Sequence, residues 1–193
     1  MRKQICKTHN PMKFNNWRTE TIDKILPEEF FKLISNNRNH IEKTFPVTVS
    51  NCLDLAKATN FINSNKQKQE NKENYFFYIR NNETNNLIGY VCIKNIKLDI
   101  LKCELAYFVD AAFEGQGIIS KAVSQTIDFC FVELKMNKIF ICTSKVNKAS
   151  QQIALKHNFI QEGTLREEFK NFEGVLEDIN YYGLLKSDYQ IFL

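Results

Sequence analysis

Residues 113–122 carry the sequence Phe-Glu-Gly-Gln-Gly-Ile-Ile-Ser-Lys-Ala, which follows an apolar strand pattern and opens an amphipathic helix pattern. Gly115 and Gly117 allow positive φ angles, so the backbone there can turn tightly and approach a ligand closely. The first N–H groups of the following helix have no acceptor within the helix, and they lie at the positive end of its dipole. The pattern therefore favours a phosphate-binding turn, although a tight turn without a ligand gives the same spacing.

The composition indicates one globular domain spanning residues 1–193. A chain of 193 residues is long enough for one substantial core and too short for two domains of ordinary size. The hydrophobic and charged fractions, 44% and 25%, are ordinary for a soluble globular protein. The net charge is only +4, with Lys and Arg interspersed among Asp and Glu. We therefore expect no stable binding of nucleic acid.

The cysteines and histidines predict a reduced protein without a metal site. The cysteines are Cys6, Cys52, Cys92, Cys103, Cys130 and Cys142, and the histidines are His9, His40 and His157. The cysteines are widely spaced, form no Cys-x-x-Cys pair and are expected to be buried as small hydrophobes; the histidines are expected at surface or cap positions. Because the N-terminus carries no secretory apolar region and the chain no long uncharged apolar run, we expect a cytosolic protein without a membrane partner.

The first part of the chain has helical patterns. Proline and acids followed by apolar residues at helical spacing predict a short helix over Pro27–Ile34. A second helix is predicted from Ser50, a good N-cap residue, to about residue 64. The polar run Asn63–Asn74 is interpreted as a solvated loop or a frayed helix end.

The pattern then changes to strands. An antiparallel hairpin is predicted for Tyr75–Arg80 and Leu87–Ile93, with a third strand at Lys102–Val109. The remaining predicted elements are a helix from Ile119 to Leu134, a strand at Lys138–Val146, a helix at Lys148–His157, and strands at Ile160–Phe169 and Val175–Leu185. This order indicates an α/β protein of the α+β type, with a mixed sheet and helices on both faces.

Three segments, followed by the ending from Glu162 to Leu185, resemble the GNAT superfamily of acetyltransferases. The segment Glu114–Ile119 resembles the acetyl-CoA signature Gln/Arg-x-x-Gly-x-Gly/Ala, and Asn147–Ser150 and Lys156–Phe159 resemble the later Asn-x-x-Ser/Ala and Lys-x-Gly-Phe elements. The segments that resemble the RimJ/RimL-like branch, which modifies ribosomal-protein N-termini, are Asn37–Ile41, Phe45-Pro46, Glu162–Glu167, Asp178 and Tyr182–Leu185. The resemblance extends over roughly residues 15 to 190.

This resemblance implies a fold, a co-substrate and an activity. The expected fold is a twisted, mixed and mostly antiparallel sheet of about seven strands. The expected activity is transfer of an acetyl group from acetyl-CoA to a primary amine, first of all the N-terminal α-amino group of a ribosomal or other protein. The residues expected to bind acetyl-CoA are Phe108, Val109, Gly115, Gln116, Gly117, Ile118, Ile119, Ser120, Asn147 and Lys156. Two alternatives stay open: a polyamine or antibiotic acetyltransferase, and a non-catalytic CoA-binding module.

The chain departs from the superfamily pattern at four positions. Glu114 replaces Gln or Arg and brings a carboxylate towards the expected phosphates unless it points away or caps the helix. Ile119 stands where Gly or Ala is preferred. Asn158 replaces a glycine, and asparagine is the next best residue for a left-handed helix end. Ala154 stands where many members carry a tyrosine general acid, so that acid is absent here.

Acetyl transfer needs a base for the amine, a stabilised oxyanion and a proton for the departing thiolate. Glu104, on the strand face shared with Ala106 and Phe108, is the candidate base, and its alternative is an exposed glutamate on the outer face. Ser150 is the general acid that the resemblance implies, and its alternative is a serine bonded to its own backbone. A backbone N–H near Val109 would meet the oxyanion.

The acceptor site is predicted less sharply. An α-amino group, with a pKa near ~8 against ~10.4 for lysine, suits a weak base such as Glu104. Asn37 and Arg38, in a segment that resembles the RimJ/RimL-like branch, and Tyr182 are the candidate acceptor-binding residues, and the alternative for Tyr182 and Phe172 is a position in the core. A homodimer is the assembly considered. A more acidic pocket for polyamines would draw on Glu20, Glu42, Glu167, Glu168 and Asp178, with Phe172 as a further lining residue.

Overall fold

The computed structural model describes residues 13–14 and 16–190. Cys6 and His9, for which the sequence predicts a buried and a surface position, lie outside these residues. Of the other cysteines, Cys52, Cys92, Cys103 and Cys130 are buried and Cys142 is half-buried, as predicted. His40 lies on the surface and His157 is the C-cap of a helix, also as predicted.

One sheet of seven strands forms the centre of the described chain. The strands are β1 (Trp17–Thr21), β2 (Tyr75–Asn81), β3 (Leu87–Lys97), β4 (Lys102–Val109), β5 (Lys138–Ser144), β6 (Ile160–Lys170) and β7 (Leu176–Leu185). Their order is β1-β2-β3-β4-β5-β7-β6. Every neighbouring pair is antiparallel except β4 and β5, which run parallel. The mixed, mostly antiparallel sheet is therefore confirmed, and β4 has its predicted bounds.

Strand β1 is the one strand of the sheet that the sequence patterns do not predict. It pairs along its length with β2, from Trp17 opposite Asn81 to Thr21 opposite Phe77. Trp17 and Thr19 point into the protein, at 5% and 2% exposure. Because β1 has only one large apolar side chain in five residues, its sequence shows no alternation of apolar and polar residues, and the strand is recognisable only from its pairing with β2.

Helices cover both faces of the sheet. They are α1 (Pro27–Asn36), α2 (Arg38–Ile41), α3 (Pro46–Ser50), α4 (Leu55–Glu70), α5 (Ile118–Asp128), α6 (Lys148–Lys156) and α7 (Lys186–Gln190). Helices α1 to α4 share one core cluster with Tyr78, Tyr90 and Phe108 of the sheet. Helices α5 and α6 share the other cluster with Ile93, Leu105 and Ile141. No helix of the described residues is both long and apolar enough to span a bilayer.

The second predicted helix starts later and ends later than its sequence pattern suggests. Ser50 is the last residue of α3, and α4 is capped by Asp54, whose carboxylate accepts a hydrogen bond from the Lys57 N–H at 2.8 Å. Helix α4 then continues to Glu70, so of the two interpretations of residues 63–74 the loop is wrong over residues 63–70, and the segment up to Glu70 is the end of a helix. Ile62 and Asn65 are buried, so tertiary packing holds a segment whose composition is polar.

The predicted helix from Ile119 to Leu134 is two elements. Helix α5 ends at Asp128, and a π-helical turn occupies Phe129–Glu133. This turn brings Phe129, Cys130 and Phe131 into the core, whereas Val132 stays 50% exposed.

Arg80 joins β1, β2 and α1 through buried charges. Its side chain is 4% exposed, and its guanidinium lies 2.7 Å from Glu20 Oε2 and 2.8 Å from Glu29 Oε1. It also donates a hydrogen bond to the Asn85 carbonyl at 2.7 Å. The hydrogen bond with Arg80 lowers the pKa of Glu29 below its ordinary value of 4.5. Removal of Arg80 would therefore leave Glu29 without its cationic partner and Glu20 with Arg18 alone.

We expect Arg80→Met to lower the free energy of unfolding by about 2 to 4 kcal/mol, because a buried ion pair loses one member while the volume is kept. Arg18→Met is the matched control, since its side chain is 27% exposed and also contacts Glu20. That control should cost less than about 1 kcal/mol. Urea denaturation of both variants measures the difference, and equal losses would contradict the assigned role of Arg80.

The same pair predicts a pH dependence. Because the pKa of Glu29 is lower in the folded than in the unfolded state, its contribution to stability is complete above pH 4.5. It is lost as the pH falls towards the lowered value. Denaturation at a series of acidic pH values should show a smaller loss for Arg80→Met than for the wild type.

Candidate active site

The strands β4 and β5 separate partway along their length. They pair only at Lys102 with Lys138, Cys103 with Ile139, and Glu104 with Phe140. Beyond these pairs β4 continues to Val109 beside β3, and β5 continues to Ser144 beside β7. The two inner strand edges past Glu104 and Phe140 therefore face an opening, where an extended ligand could bind the backbone as an added strand does.

The glycine turn lies past the end of β4, at the wide end of this opening. Gly115 and Gly117 have φ angles of 71° and 74°, and a Cβ atom at either position would meet no atom within 4 Å. Glycine is therefore favoured here by the positive backbone φ angles and not by lack of space for a side chain. Gly117 is the N-cap of α5 without a side-chain cap, and the described residues offer no acceptor to the N–H groups of residues 118–120. These donors are available to an anion.

The side chains of this turn are mostly committed to the protein. Ile118 and Ile119 are buried at 5% and 8% exposure, so a larger residue at position 119 anchors the helix in the core. The Ser120 hydroxyl lies 3.1 Å from His157 Nε2, which joins α5 to the end of α6. Burial lowers the pKa of His157. Gln116 donates a hydrogen bond to the Ala112 carbonyl at 3.3 Å, so backbone groups are what the turn offers to a ligand.

Glu114 is held towards α2. Its Oε1 atom lies 3.3 Å from His40 Nε2, and its side chain is 54% exposed. The sequence left open whether this carboxylate faces the expected phosphates or points away, and the contact with His40 favours the second.

Asn37 is wrong as a direct acceptor-binding residue, because the protein uses both ends of its amide. The side chain is 3% exposed, donates to the Leu33 carbonyl and to Asp110 Oδ2 at 3.0 Å each, and accepts from the Ala111 N–H at 2.9 Å. Asn37 therefore fixes the start of α2 to the segment that connects β4 to the glycine turn.

Glu104 lies at the point where the opening begins. It is 7% exposed, so the alternative of an exposed outer-face glutamate is wrong. Its Oε1 atom lies 3.1 Å from Lys94 Nζ, and its Oε2 atom accepts a hydrogen bond from Asn95 Nδ2 at 2.6 Å. Because the Lys94 side chain is 40% exposed, it is the partner that can leave when another cation or a water approaches the carboxylate.

The floor beside Glu104 is aromatic and carries lysines. Phe140, which pairs with Glu104 across the strands, stacks on Tyr181 with ring centroids 4.8 Å apart. Lys102 Nζ lies 4.9 Å from the centre of the Phe140 ring, and Lys138 Nζ lies 5.5 Å from that of Tyr181. This face of the sheet therefore combines a carboxylate, an aromatic surface and ammonium groups.

Tyr182 is not part of this floor. It is 2% exposed and belongs to the core cluster of α5 and α6, where its hydroxyl donates to Gln161 Oε1 at 3.4 Å. Alternation along β7 puts Tyr181, and not Tyr182, on the Glu104 face. Of the two interpretations of Tyr182, the structure therefore favours the core position. Arg38 is half-exposed on α2 and stays a candidate for acceptor binding.

The predicted acidic residues do not form one pocket. Glu20 is bound by Arg80 in the far part of the sheet. Asp178 pairs with Lys145 at 2.8 Å and accepts the Glu167 N–H at 3.0 Å, so it stabilises the β6–β7 hairpin. Phe172, in the turn of that hairpin, is 48% exposed.

The N-terminus of α6 faces β4 on the other face of the sheet. Asn147 caps this helix by accepting the Ser150 N–H at 3.0 Å, and its Nδ2 donates to no atom of the described residues. The Ser150 hydroxyl lies 3.2 Å from the Tyr107 hydroxyl of β4, so it is not bonded to its own backbone as the alternative for Ser150 required. At the other end of α6, Lys156 is exposed and Asn158 adopts the predicted left-handed conformation, with φ 62°.

Tyr107 is the residue near the site that the sequence patterns missed. Burial raises its pKa to about 12, so its hydroxyl is protonated and able to donate near neutral pH. It lies in the part of β4 that has no partner in β5. Tyr107 lies opposite the Asn147–Ser150 motif through a tertiary contact. In the sequence, the only sign of this position is that Tyr107 lies on the strand face opposite to that of Glu104.

Comparisons with known proteins agree with this geometry. Residues 24–160 match the family model described as acetyltransferase (GNAT) domain. The chain is 30% identical over 162 residues to the probable N-acetyltransferase YjcK of Bacillus subtilis (strain 168), which covers 83% of this chain and 89% of that protein. It is 32% identical over 104 residues to the putative ribosomal N-acetyltransferase YdaF of the same strain, over 54% of this chain and 56% of YdaF. The chain thus spans about half the length of YdaF.

Two further proteins widen the comparison. A spermidine N(1)-acetyltransferase of Vibrio cholerae serotype O1 (strain ATCC 39315 / El Tor Inaba N16961) is 24% identical over 160 residues, covering 83% of this chain and 88% of that protein. The crystal structure of a ribosomal-protein-S5-alanine acetyltransferase from Vibrio fischeri superposes with a TM-score of 0.81 at 17% identity, over 94% of this chain and 99% of that one. The chain therefore belongs to the GNAT family of N-acetyltransferases, whose acetyl donor is acetyl-CoA.

Proposed function

We propose that this protein transfers the acetyl group of acetyl-CoA to the N-terminal α-amino group of a protein, with a ribosomal protein as the first candidate. The observation that carries the proposal is the opening between β4 and β5, which begins at Glu104 and widens towards the glycine turn. The name of the relative YdaF supports a ribosomal acceptor.

The residues present fit acetyl-CoA as the co-substrate. The free N–H groups at the start of α5 suit the pyrophosphate, and the inner edge of β4 suits an extended amide-bearing arm such as pantetheine. Val109 offers its backbone to that arm: the Asp110 N–H bonds to Ile88 of β3, so by alternation Phe108 also faces β3 and Val109 faces the opening. The side chains of Phe108 and Val109, at 6% and 8% exposure, lie in the two core clusters. Asn147 Nδ2 and Lys156 are further donors on the α6 side.

The acyl transfer itself needs two proton transfers. The neutral amine attacks the thioester carbonyl, a C–N bond forms, and the C–S bond breaks with sulfur leaving as a thiolate. Glu104 accepts a proton from the amine, directly or through water, once Lys94 has moved aside. Ser150 supplies a hydrogen bond or proton to the sulfur, and a backbone N–H near Val109 stabilises the oxyanion. The reaction passes through a ternary complex without a covalent enzyme intermediate.

The charges near Glu104 favour a monovalent amine over a polyamine. Lys94 and Lys102 bring two ammonium groups to this face of the sheet, and Lys102 has no carboxylate within 4.0 Å among the described residues. A polyamine would bring several positive charges close to them, whereas a peptide N-terminus brings one. Spermidine remains the second candidate acceptor, because a spermidine acetyltransferase is among the relatives.

Thermal unfolding with acetyl-CoA, followed by assays of CoA release, tests the proposal. We expect acetyl-CoA to raise the Tm through binding to the folded state. We expect CoA release with peptides that mimic ribosomal-protein N-termini and little release with spermidine or aminoglycosides. Release with spermidine alone would favour the small-amine acetyltransferase, and a Tm increase without release on any amine would favour a non-catalytic CoA-binding module.

Glu104→Gln should lower kcat by about 10² to 10⁴-fold, because the amide keeps the shape and loses the proton acceptor. Acetyl-CoA affinity should change less than about twofold, since Glu104 lies at the narrow end of the opening. Glu162→Gln is the matched control, because Glu162 is an exposed carboxylate of β6 that pairs with Lys138 of β5. If Glu104→Gln turned over the accepted amine at the wild-type rate across pH, Glu104 would not be the base.

Glu114→Gln should leave acetyl-CoA affinity within about twofold of the wild type, because the carboxylate contacts His40 and not the helix N-terminus. Gly117→Ala should weaken binding by about tenfold, because an alanine is strained at a φ of 74°. Isothermal titration with acetyl-CoA measures both. A tighter complex for Glu114→Gln would indicate that this carboxylate turns towards the phosphates.

A further inference from the structure

The hydroxyl groups of Tyr107 and Ser150 meet across the opening. Their oxygen atoms lie 3.2 Å apart, so either hydroxyl can donate to the other, and the Tyr107 hydroxyl also donates a hydrogen bond to the Ser150 carbonyl oxygen at 3.4 Å. Tyr107 comes from β4 and Ser150 from the first turn of α6, so this contact connects the two elements that border the opening on one face. Both residues are half-buried, so a ligand in the opening can reach their neighbourhood.

The Ser150 hydroxyl has no other assigned hydrogen-bond partner among the described residues. Its backbone N–H is used by the Asn147 cap, which fixes where the Cα atom of Ser150 lies but not where its hydroxyl hydrogen points. A serine hydroxyl rotates freely unless a neighbour orients it. Tyr107 is the neighbour that can do so.

The position where many superfamily members carry a tyrosine cannot supply this function. Ala154 has no polar group, is fully buried and belongs to the core cluster beneath α6. A hydroxyl that serves the leaving sulfur must therefore come from another position, and Ser150, in the first turn of the same helix, offers one that the Tyr107 side chain reaches from β4.

We propose that Tyr107 is a positioning residue for acetyl transfer: its hydroxyl donates to Ser150 Oγ, so that the Ser150 hydrogen points at the sulfur of the leaving thiol. The inference rests on the proposed function and adds a residue to it. Because burial keeps Tyr107 protonated near neutral pH, the phenol remains a donor throughout the reaction.

The chemistry of the pair is hydrogen bonding to a developing negative charge. As the C–S bond breaks, the electron pair goes to sulfur, and the Ser150 hydroxyl donates a hydrogen bond to the thiolate. The proton that the sulfur finally takes is replaced from solvent, so that acetylated amine and CoA thiol leave with neither hydroxyl changed. A donor that is itself a hydrogen-bond acceptor is a stronger donor, so Tyr107 both aims and strengthens Ser150.

The experiment compares Tyr107→Phe, Ser150→Ala and the double variant. Phenylalanine keeps the packing of the ring, and thermal unfolding checks that each variant folds. With the accepted peptide, we expect Tyr107→Phe to lower kcat about tenfold with KM nearly unchanged. If Tyr107 acts through Ser150, the double variant should be no slower than Ser150→Ala alone. Multiplying effects in the double variant would overturn the proposal.

A second measurement needs no acceptor. The pKa of the thiol of bound CoA is obtained from the ultraviolet thiolate absorbance of the CoA complex, with the desulfo-CoA complex as the blank. Because a hydrogen bond to the charged form lowers a pKa, Tyr107→Phe should raise that of the bound thiol by about one unit. Tyr90→Phe, which removes a buried hydroxyl 3.4 Å from Thr48 in the other core cluster, is the control and should not change it.

The two proposals fail in different ways. If the wild type acetylates no amine, the proposed function is wrong, and the titration of bound CoA still decides whether Tyr107 orients a donor at the sulfur. If the wild type is active but Tyr107→Phe has the wild-type kcat and thiol pKa, the acetyltransferase assignment stands and the role of Tyr107 is overturned.

Discussion

The site depends on where the pairing of β4 and β5 stops. Three residue pairs hold these parallel strands together up to Glu104 and Phe140, and each strand is then held only on its outer side. Strand β3 follows β4 as far as Val109, and β7 follows β5 as far as Ser144, so the sheet stays intact while its middle opens. Backbone groups on the inner edges give up sheet hydrogen bonds, a cost that a bound chain can offset. The proposed binding site is therefore the region where the hydrogen bonds between β4 and β5 are absent.

Side-chain contacts set the geometry around the opening. Asn37 binds the segment after β4 with its whole amide, so helices α1 and α2 and the approach to the glycine turn move as one piece. The contact between Ser120 and His157 similarly ties the start of α5 to the end of α6. The turn that offers its N–H groups is thus fixed from both faces of the sheet. Such fixing is what allows unpaired donors to be aimed at a ligand before it arrives.

The sequence patterns predicted those features of the fold that depend on neighbouring residues. Strand β4 and the turn at Gly115 and Gly117 follow from alternation, glycine and helix-start signals, which are properties of neighbouring residues. The contacts of Asn37, the parity of Tyr182 and the pairing of Tyr107 with Ser150 depend on residues far along the chain. Asparagine in a helical segment carries no sign of a partner 73 residues away. A period of two does not tell which face of β7 is the core, because Tyr181 and Tyr182 are chemically the same. Resemblance could name Ser150 but not the strand tyrosine that reaches it.

The proposed base and acid lie on opposite faces of the sheet, and the opening between β4 and β5 is what allows both to act on one substrate. Glu104 shares its face with Phe140 and Tyr181, whereas Tyr107 points to α6 and Ser150. Tyr107 lies three positions after Glu104, about 10 Å along a strand, and an odd number of positions reverses the face. In a continuous sheet the two groups could not act on one reacting carbon, because the neighbouring strand would lie between them. Because β5 does not pair with β4 beyond Phe140, the amine can approach from the Glu104 face and the thiol can leave towards Ser150. The missing strand pairs therefore allow groups on both faces of the sheet to form one active site.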